Sequence, residues 1–385
     1  VPVVVDVGTQ SFEAAGETIA GYLGRELLRL RAELVQCLAD GYGMAGSDSA
    51  GTHWGGSYDE GARALVGRLD ELIRVMSVVG ALLAQTGANH ARADAASDPT
   101  RRAHAEVPRV PPRLAAPPLA LPTSAGSWQA GVVPSGWELI CHLVGYVCPN
   151  GHPDRLRSAG DAWRACAAGV RAASGYIGEA KAALSDQRSP EMSRILAALG
   201  VLAGHIEELG GAFDQLGAAC DDFADGVDHA RRSISHELAV LVESTVAIEA
   251  GGGLLGLLSF GAAEVAVQAA EALRITATAA RVVELIKSLG GATTLIVCRV
   301  AGLVAMGAKD AEELAALVST ETTVAPVQAV ETAEADAAVT DGGAAGGESA
   351  AEGGAVEGGA AGNNVVDKCP ETNLWMDGAL SKRHP

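Results

Sequence analysis

The sequence predicts an all-α protein of long antiparallel helical hairpins, and three observations predict it. Apolar residues recur at steps of three, four and seven through most of the first 318 positions, which is the period of a helix and not of a strand. Of the 385 residues 48% are apolar but only 4% aromatic, so the core is built from Ala, Leu and Val, whose small volumes let helix backbones approach. Gly and Pro gather in a few clusters that separate the periodic runs.

The first unit covers residues 1–96. A stripe of Phe12, Ile19, Leu23, Leu27, Leu30, Leu34 and Leu38 places one apolar face on a helix. It stops in DGYGMAGSDSAG, where Gly41, Gly43, Gly46 and Gly51 supply a turn. A second helix follows with Leu65, Leu69, Leu72, Met76, Val79 and Leu83 on a seven-residue repeat. Two such helices form a hairpin whose seam still needs cover, from another chain or from the rest of this one.

Residues 97–137 shift to Pro, Ala and Arg. Closely spaced prolines forbid helix and favour an extended linker or strap, laid across the helices where it is ordered. The second helical unit is expected over residues 138–318. PNGHPD is turn chemistry, and a helix follows with Leu156, Trp163, Cys166, Val170, Ile177, Ala180 and Leu184 on one stripe. From Ile195 to Ile234 the three-four alternation persists for roughly ten turns, an extended coiled-coil-like helix. Gly251 to Gly253 mark a bend or close-packing seam, and a short last helix is expected at Ala311–Leu317. Residues 319–385 read as a low-complexity acidic Ala/Gly tail with a short C-terminal remnant, too poor in large apolar groups to fold alone.

Charge excludes one partner class. The formal net charge of −19 is wrong for phosphate-backbone binding, so no nucleic-acid partner is expected. No Lys or Arg occurs between Lys309 and Lys368, and the acid there is a solvated tail. Seven scattered cysteines do not make a disulfide framework; one bridge after export, such as Cys141–Cys148, is left open. The N-terminal VPVVVDVGTQ has no basic n-region, so export without a Sec signal peptide is expected. Residues 250–263 are too short to span a bilayer, and 289–308 carries Arg299 near its middle.

The loop and second-helix start, GMAGSDSAGTHWGGSYDEGA, contain Trp54-Gly55-Gly56 and then Tyr58. This resembles the Trp-x-Gly turn of the small helical hairpins exported by actinobacterial type VII (ESX) secretion systems. The string Pro149-Asn150-Gly151-His152, followed by Leu156-Arg157 and Trp163-Arg164, is similar to the start of the second helical segment in larger exported toxins of that kind. The resemblance spans residues 1 to about 240. It implies that Gly56 permits the turn and that Trp54 fills the hairpin tip, as a core anchor, as a surface read by the secretion ATPase, or as both. It also implies an export signal Tyr-x-x-x-Asp/Glu after the second helix. Here that place holds His90 and Asp94: either the imidazole substitutes for the phenol, or a partner chain supplies the signal. Tyr22-x-x-x-Glu26 fits the formula inside the first helix and is read as chance.

No catalytic residues, cofactor or metal are expected. Cys141, His142, Cys148 and His152 fit no common zinc spacing. Glu207, Glu208, Asp222 and Asp225 read as a solvated helix face, and His205, His229 and His236 as surface or boundary residues. No nucleophile elbow or phosphate loop is present. The resemblance thus implies a non-enzymatic secretion substrate or toxin-delivery module, secreted or in the cell envelope and lacking an intact toxin domain. Its implied partners are the secretion ATPase and small Trp-x-Gly proteins, and self-association is also open. The alternative is a membrane-active, channel-forming envelope protein that inserts through residues 246–308.

Overall fold

The structure, a computed structural model, describes residues 7–97, 111, 113–126, 133–255 and 262–322, some of the last two stretches by backbone alone. It is all-α, with no strand among the described residues. Residues 1–323 form one compact unit. The acidic tail from residue 323 on lies outside the described residues.

The first rod is continuous. Helix α1 (Thr9–Gly16) passes through a π-helical stretch (Glu17–Leu23) into α2 (Gly24–Leu38) and ends in a short 3-10 turn (Ala39–Gly41). Helix α3 (Ser49–Ser97) runs back along it. Asp48 starts α3: its Oδ1 accepts the backbone N–H groups of Ala50 and Gly51 at 3.0 and 3.1 Å, satisfying donors that a helix start leaves free. The predicted stripes face each other, with Phe12, Ile19, Leu23 and Leu27 fully buried against Leu65, Leu69 and Met76.

The seam is completed by the same chain. A single core continues from these residues into Leu156, Trp163 and Val170 of α5 (Pro153–Ala173), through Phe213, Leu216 and Phe223 of α7 (Met192–Leu255), to Val300 and Leu303 of α8 (Ala262–Thr322). The short helix α6 (Gly175–Ala183) contributes Ile177 and Ala180. Full burial of a Leu- or Phe-sized side chain stabilises by roughly 1.5–3 kcal/mol. Closing the seam in cis therefore removes the need for a second chain on this face.

The strap is ordered over residues 113–126, extended as the prolines require. It crosses α2 and α3. Leu114 N–H donates to Ser77 Oγ at 3.0 Å, and the Pro117 carbonyl accepts from Arg31 at 2.8 Å. Arg31 is only 2% exposed, and its Nε also donates to Asp70 at 2.6 Å. A buried charge so paired holds strap and hairpin together.

Helices α5 and α7 are antiparallel and laced by arginines. Arg157, Arg164 and Arg171, seven apart on α5, pair with Asp228, Asp221 and Asp214, seven apart in the opposite sense on α7. Helices α7 and α8 pair likewise through Arg281–Glu237 and Arg299–Asp222. The carboxylates of Asp222, Asp225, Glu207 and Glu208 lie on an exposed face, as their spacing suggested, and each also has an arginine partner. Arg299, which interrupts the apolar run 289–308, is matched by an acid on its neighbour.

Other expectations change in detail. The helix α4 (Trp137–Val144) was not anticipated; it closes a second core of Trp137, Ile140, Val144, Ile234, Leu238, Val282 and Ile286. Left-handed Gly136 and Gly145, at φ +86° and +67°, bracket it. Gly251 to Gly253 lie inside α7, and Ala311–Leu317 lies inside α8 instead of forming a separate helix. Cys141 and Cys148 are not bridged: both are free thiols, as are Cys37, Cys166 and Cys220. Cys37 is exposed, and His205 is buried instead of superficial. By length and composition, Met192–Glu243 and Glu271–Ala305 are apolar enough to cross a membrane, although 39% of the first window is buried in the fold.

Candidate functional site

The residues singled out by the two sequence strings meet in one place. Trp54, in the second turn of α3, is fully buried and stacks between Tyr58 and Phe223, with centroids 4.8 and 4.7 Å away. Tyr58 lies one turn further on α3 and accepts at its hydroxyl from Trp163 Nε1 of α5 at 3.0 Å. Trp163 is itself fully buried against Phe213, 5.4 Å away. Burial, the neighbouring Cys220 and Asp59 push the Tyr58 phenol well above its ordinary range, against the opposing bond from Trp163. Aromatic residues are scarce in this chain, and five of them form this joint between the hairpin and the helices beyond the strap.

Above the joint three chain segments are knotted. Asn150 Oδ1 accepts from Ser47 N–H at 2.8 Å, its Nδ2 donates to Ser47 Oγ at 2.9 Å, and its own N–H donates to Asp48 Oδ2 at 3.0 Å. His152 N–H reaches the Met44 carbonyl at 2.7 Å. On the other side Ala45 N–H donates to the Ser124 carbonyl at 2.9 Å, and Ser124 N–H donates to Asp59 Oδ1 at 3.0 Å. Asp48 thus caps α3 and clamps Asn150 with one carboxylate. Arg231 of α7 adds a bond to the Pro149 carbonyl at 2.9 Å.

Among the expected turn glycines the geometry needs Gly46, and it does not need Gly56. Gly56 is helical and exposed, with nothing within 4 Å of where a Cβ would stand, so it permits no turn. The turn depends on Gly46, whose φ of +88° is left-handed and whose Cβ would lie 2.4 Å from Asn150 Oδ1. Gly55 lets the strap come close: a Cβ there would stand 2.9 Å from the Ala125 backbone N. Gly151 faces Ala45 in the same knot, where a Cβ would meet its carbonyl oxygen at 2.9 Å.

The pair at the far end of α3 is placed apart from the joint. His90 Nε2 lies 2.6 Å from Glu191 Oε1, and its ring is 5.9 Å from Phe12. Burial raises the Glu191 carboxyl, but the bonds from His90, Ser189 and its own backbone outweigh that and hold it below its usual value. Asp94 is exposed one turn on. Tyr22, in the π-helical stretch, is 55% exposed and stacks on Tyr176. Among the described residues no group of His, Cys, Asp and Glu has the arrangement of a metal site.

Residues 132–281, from α4 to the first turns of α8, match the WXG100 like domain family. The likeness to that family covers 150 of the 385 residues. The chain is also similar to the outer membrane channel protein CpnT, being 35% identical to it over 163 residues in both Mycobacterium tuberculosis (strain ATCC 25618 / H37Rv) and Mycobacterium bovis (strain BCG / Pasteur 1173P2). That match covers 42% of this chain and 18% of CpnT. It is also 30% identical over 202 residues to a Mycobacterium avium (strain 104) protein, Mav, named for an NAD(+)–arginine ADP-ribosyltransferase; 51% of this chain and 23% of Mav are covered. The chain therefore spans less than a quarter of the length of each. No solved structure matches. The matched domain includes Asn150 and Trp163 and excludes Trp54, so the literal Trp-Gly-Gly of the hairpin lies outside it.

Proposed function

We propose that this chain is a type VII secretion substrate and toxin-delivery module that works through helix-mediated protein contacts and not through catalysis. The observation that carries the reading is the match of α4–α8 to the WXG100-like domain, with Trp163 buried in that domain and bonded to the preceding hairpin. On this reading the hairpin and the WXG100-like domain travel as one helical body, and residues 319–385 serve as the connection to cargo. The exposed end of α3 offers Asp94, with His90 as a flat polar ring behind it, to the secretion ATPase or to a small Trp-x-Gly partner. The location that follows is secreted or in the cell envelope.

Export from a host with and without the secretion ATPase tests this. The protein is expected in the medium only with the ATPase, and Asp94→Ala should lower export without changing cellular stability. Export that continues without the ATPase would defeat the reading.

A second reading, a membrane-active envelope protein, is favoured by α8. Only 28% of the apolar window within Glu271–Ala305 is buried, and Leu273 and Leu295 are 72% and 57% exposed. Liposome leakage that is lost in a Leu273→Gln/Leu295→Gln variant, or on deletion of residues 246–308, would select it. A protein that never partitions into lipid would reject it.

A further inference from the structure

Helix α4 is apolar on two sides. Trp137, Ile140 and Val144 fill the second core, with Leu238 of α7 and Val282 and Ile286 of α8. The other side is bare. Leu139 and Leu143, one turn apart, are 38% and 47% exposed, and Tyr146 and Val147, just past the helix end, are 43% and 58% exposed. Cys141 and His142 are exposed between them. Charge avoids this stretch: from Leu139 to Pro153 there is no Asp, Glu, Lys or Arg, in a chain of net charge −19.

Area decides between occupants. The four side chains expose roughly 400 Å², the size of a functional patch on a monomer. A stable protein pair buries about 800 Å² on each side, so a second copy or a folded partner would find half the surface it needs. A bilayer sets no such threshold, because each apolar side chain that enters the headgroup–acyl boundary gains by its own burial. Tyr146 and His142 suit that depth, each with a ring body and a polar edge. Position agrees. Helix α4 packs on Val282 and Ile286, inside the α8 stretch Glu271–Ala305 that is long and apolar enough to cross a membrane.

We propose that the outer face of α4 is a shallow bilayer anchor, with Leu139, Leu143, Tyr146 and Val147 as the inserted side chains. The surface it takes is neutral lipid. An uncharged face has nothing to hold an anionic headgroup, and a chain of net charge −19 is repelled by an anionic membrane. The anchor rests on the membrane-active reading for its lipid surface, and it needs no pore.

The test floats the full chain with vesicles of phosphatidylcholine, alone or mixed with phosphatidylglycerol. The chain is expected to bind the neutral vesicles, and at low salt to bind them better than the anionic ones. Leu143→Glu/Val147→Glu should lower neutral-vesicle binding on the order of tenfold. Leu139→Gln/Tyr146→Ser, which adds no charge, should lower it too. Val201→Glu, at a position on α7 that is also 47% exposed, should leave it unchanged. All the substituted side chains are exposed, and circular dichroism checks that each variant is folded. Binding without dye leakage removes the channel reading and keeps the anchor. The proposal is overturned by a wild-type chain that does not bind, by equal losses in all three variants, or by α4 substitutions that split a dimer in sedimentation and leave vesicle binding intact.

Discussion

The indole N–H of Trp163 donates to the phenol oxygen of Tyr58 across 3.0 Å, and this bond ties the first helix after the knot to the long helix before the strap. Both groups are buried, so neither has water as an alternative partner.

Losing both sides should therefore cost less than the sum of the two separate losses. Tyr58→Phe strands the indole N–H, and a destabilisation of roughly 1–3 kcal/mol is expected. In the Tyr58→Phe/Trp163→Phe double variant the losses should be less than additive. Urea unfolding of Tyr58→Phe, Trp163→Phe and the double variant checks this, and strict additivity would mean the bond contributes nothing.

Trp54 behaves differently. Its Nε1 has no acceptor among the described residues, so the residue contributes through ring stacking and volume. Trp54→Phe is expected to be milder than Trp54→Ala, which should cost roughly 3–5 kcal/mol through the cavity it leaves. An export defect in Trp54→Ala that tracks instability, with Trp54→Phe exported normally, would assign this tryptophan to the core and not to recognition.

The knot predicts a sharp hierarchy among its members. Gly46→Ala combines a left-handed backbone with a 2.4 Å approach to Asn150, and should lower the melting temperature more than Gly56→Ala, which meets open space. Asn150→Ala removes the bonds to Ser47 and Asp48 and should cost roughly 2–4 kcal/mol. Thermal denaturation of the three side by side is sufficient. A Gly56→Ala protein as damaged as Gly46→Ala would contradict the geometry.

Buried thiols set the alkaline limit. Burial pushes Cys148 up to about 11 and Cys166 up to about 12 from 9.0, and Cys220 higher still. Below about pH 9 folded and unfolded chains both hold these protons. Above it the unfolded chain releases them first, so stability falls as pH rises from about 9 toward 12. Unfolding free energy measured across that window should decline, and less so in a Cys166→Ala/Cys220→Ala protein. With Ellman's reagent the exposed Cys37 and Cys141 should react in the native state, while Cys148, Cys166 and Cys220 wait for unfolding.

The arginine ladder should be exchangeable in sign. Arg164 and Asp221 are about a third exposed, so deleting either should cost no more than roughly 1 kcal/mol. Arg164→Asp should cost more, because it sets two acids against each other, and adding Asp221→Arg should recover most of the loss. High salt should narrow the difference.

Helix content, the hairpin turn and the strap were legible in the sequence because each depends on local rules. Helical periodicity, proline's fixed φ and the glycine clusters act over a few residues, and the stripe from Phe12 to Leu38 is buried where its spacing put it. What sequence could not assign was the partner of each face. Helix α4 was hidden because its Trp137, Ile140 and Val144 make a stripe too short to stand out beside the prolines. The two histidines and pairs of acids on α7 looked alike along the chain. Only the antiparallel register with α5 and α8 gave Asp221 and Asp222 their arginines and left His229 and His236 exposed.

The sequence by itself determined that this chain folds as long amphipathic helices carrying two tryptophan strings. Tertiary structure alone decided that Trp54, Tyr58 and Trp163 converge, that Gly56 takes no part in the turn, and that the hairpin seam is covered by its own chain. The physical reason is range. Backbone preference and periodicity are fixed by neighbours within a turn or two, whereas burial and hydrogen-bond partners are set by residues a hundred positions away, such as Tyr58 and Trp163.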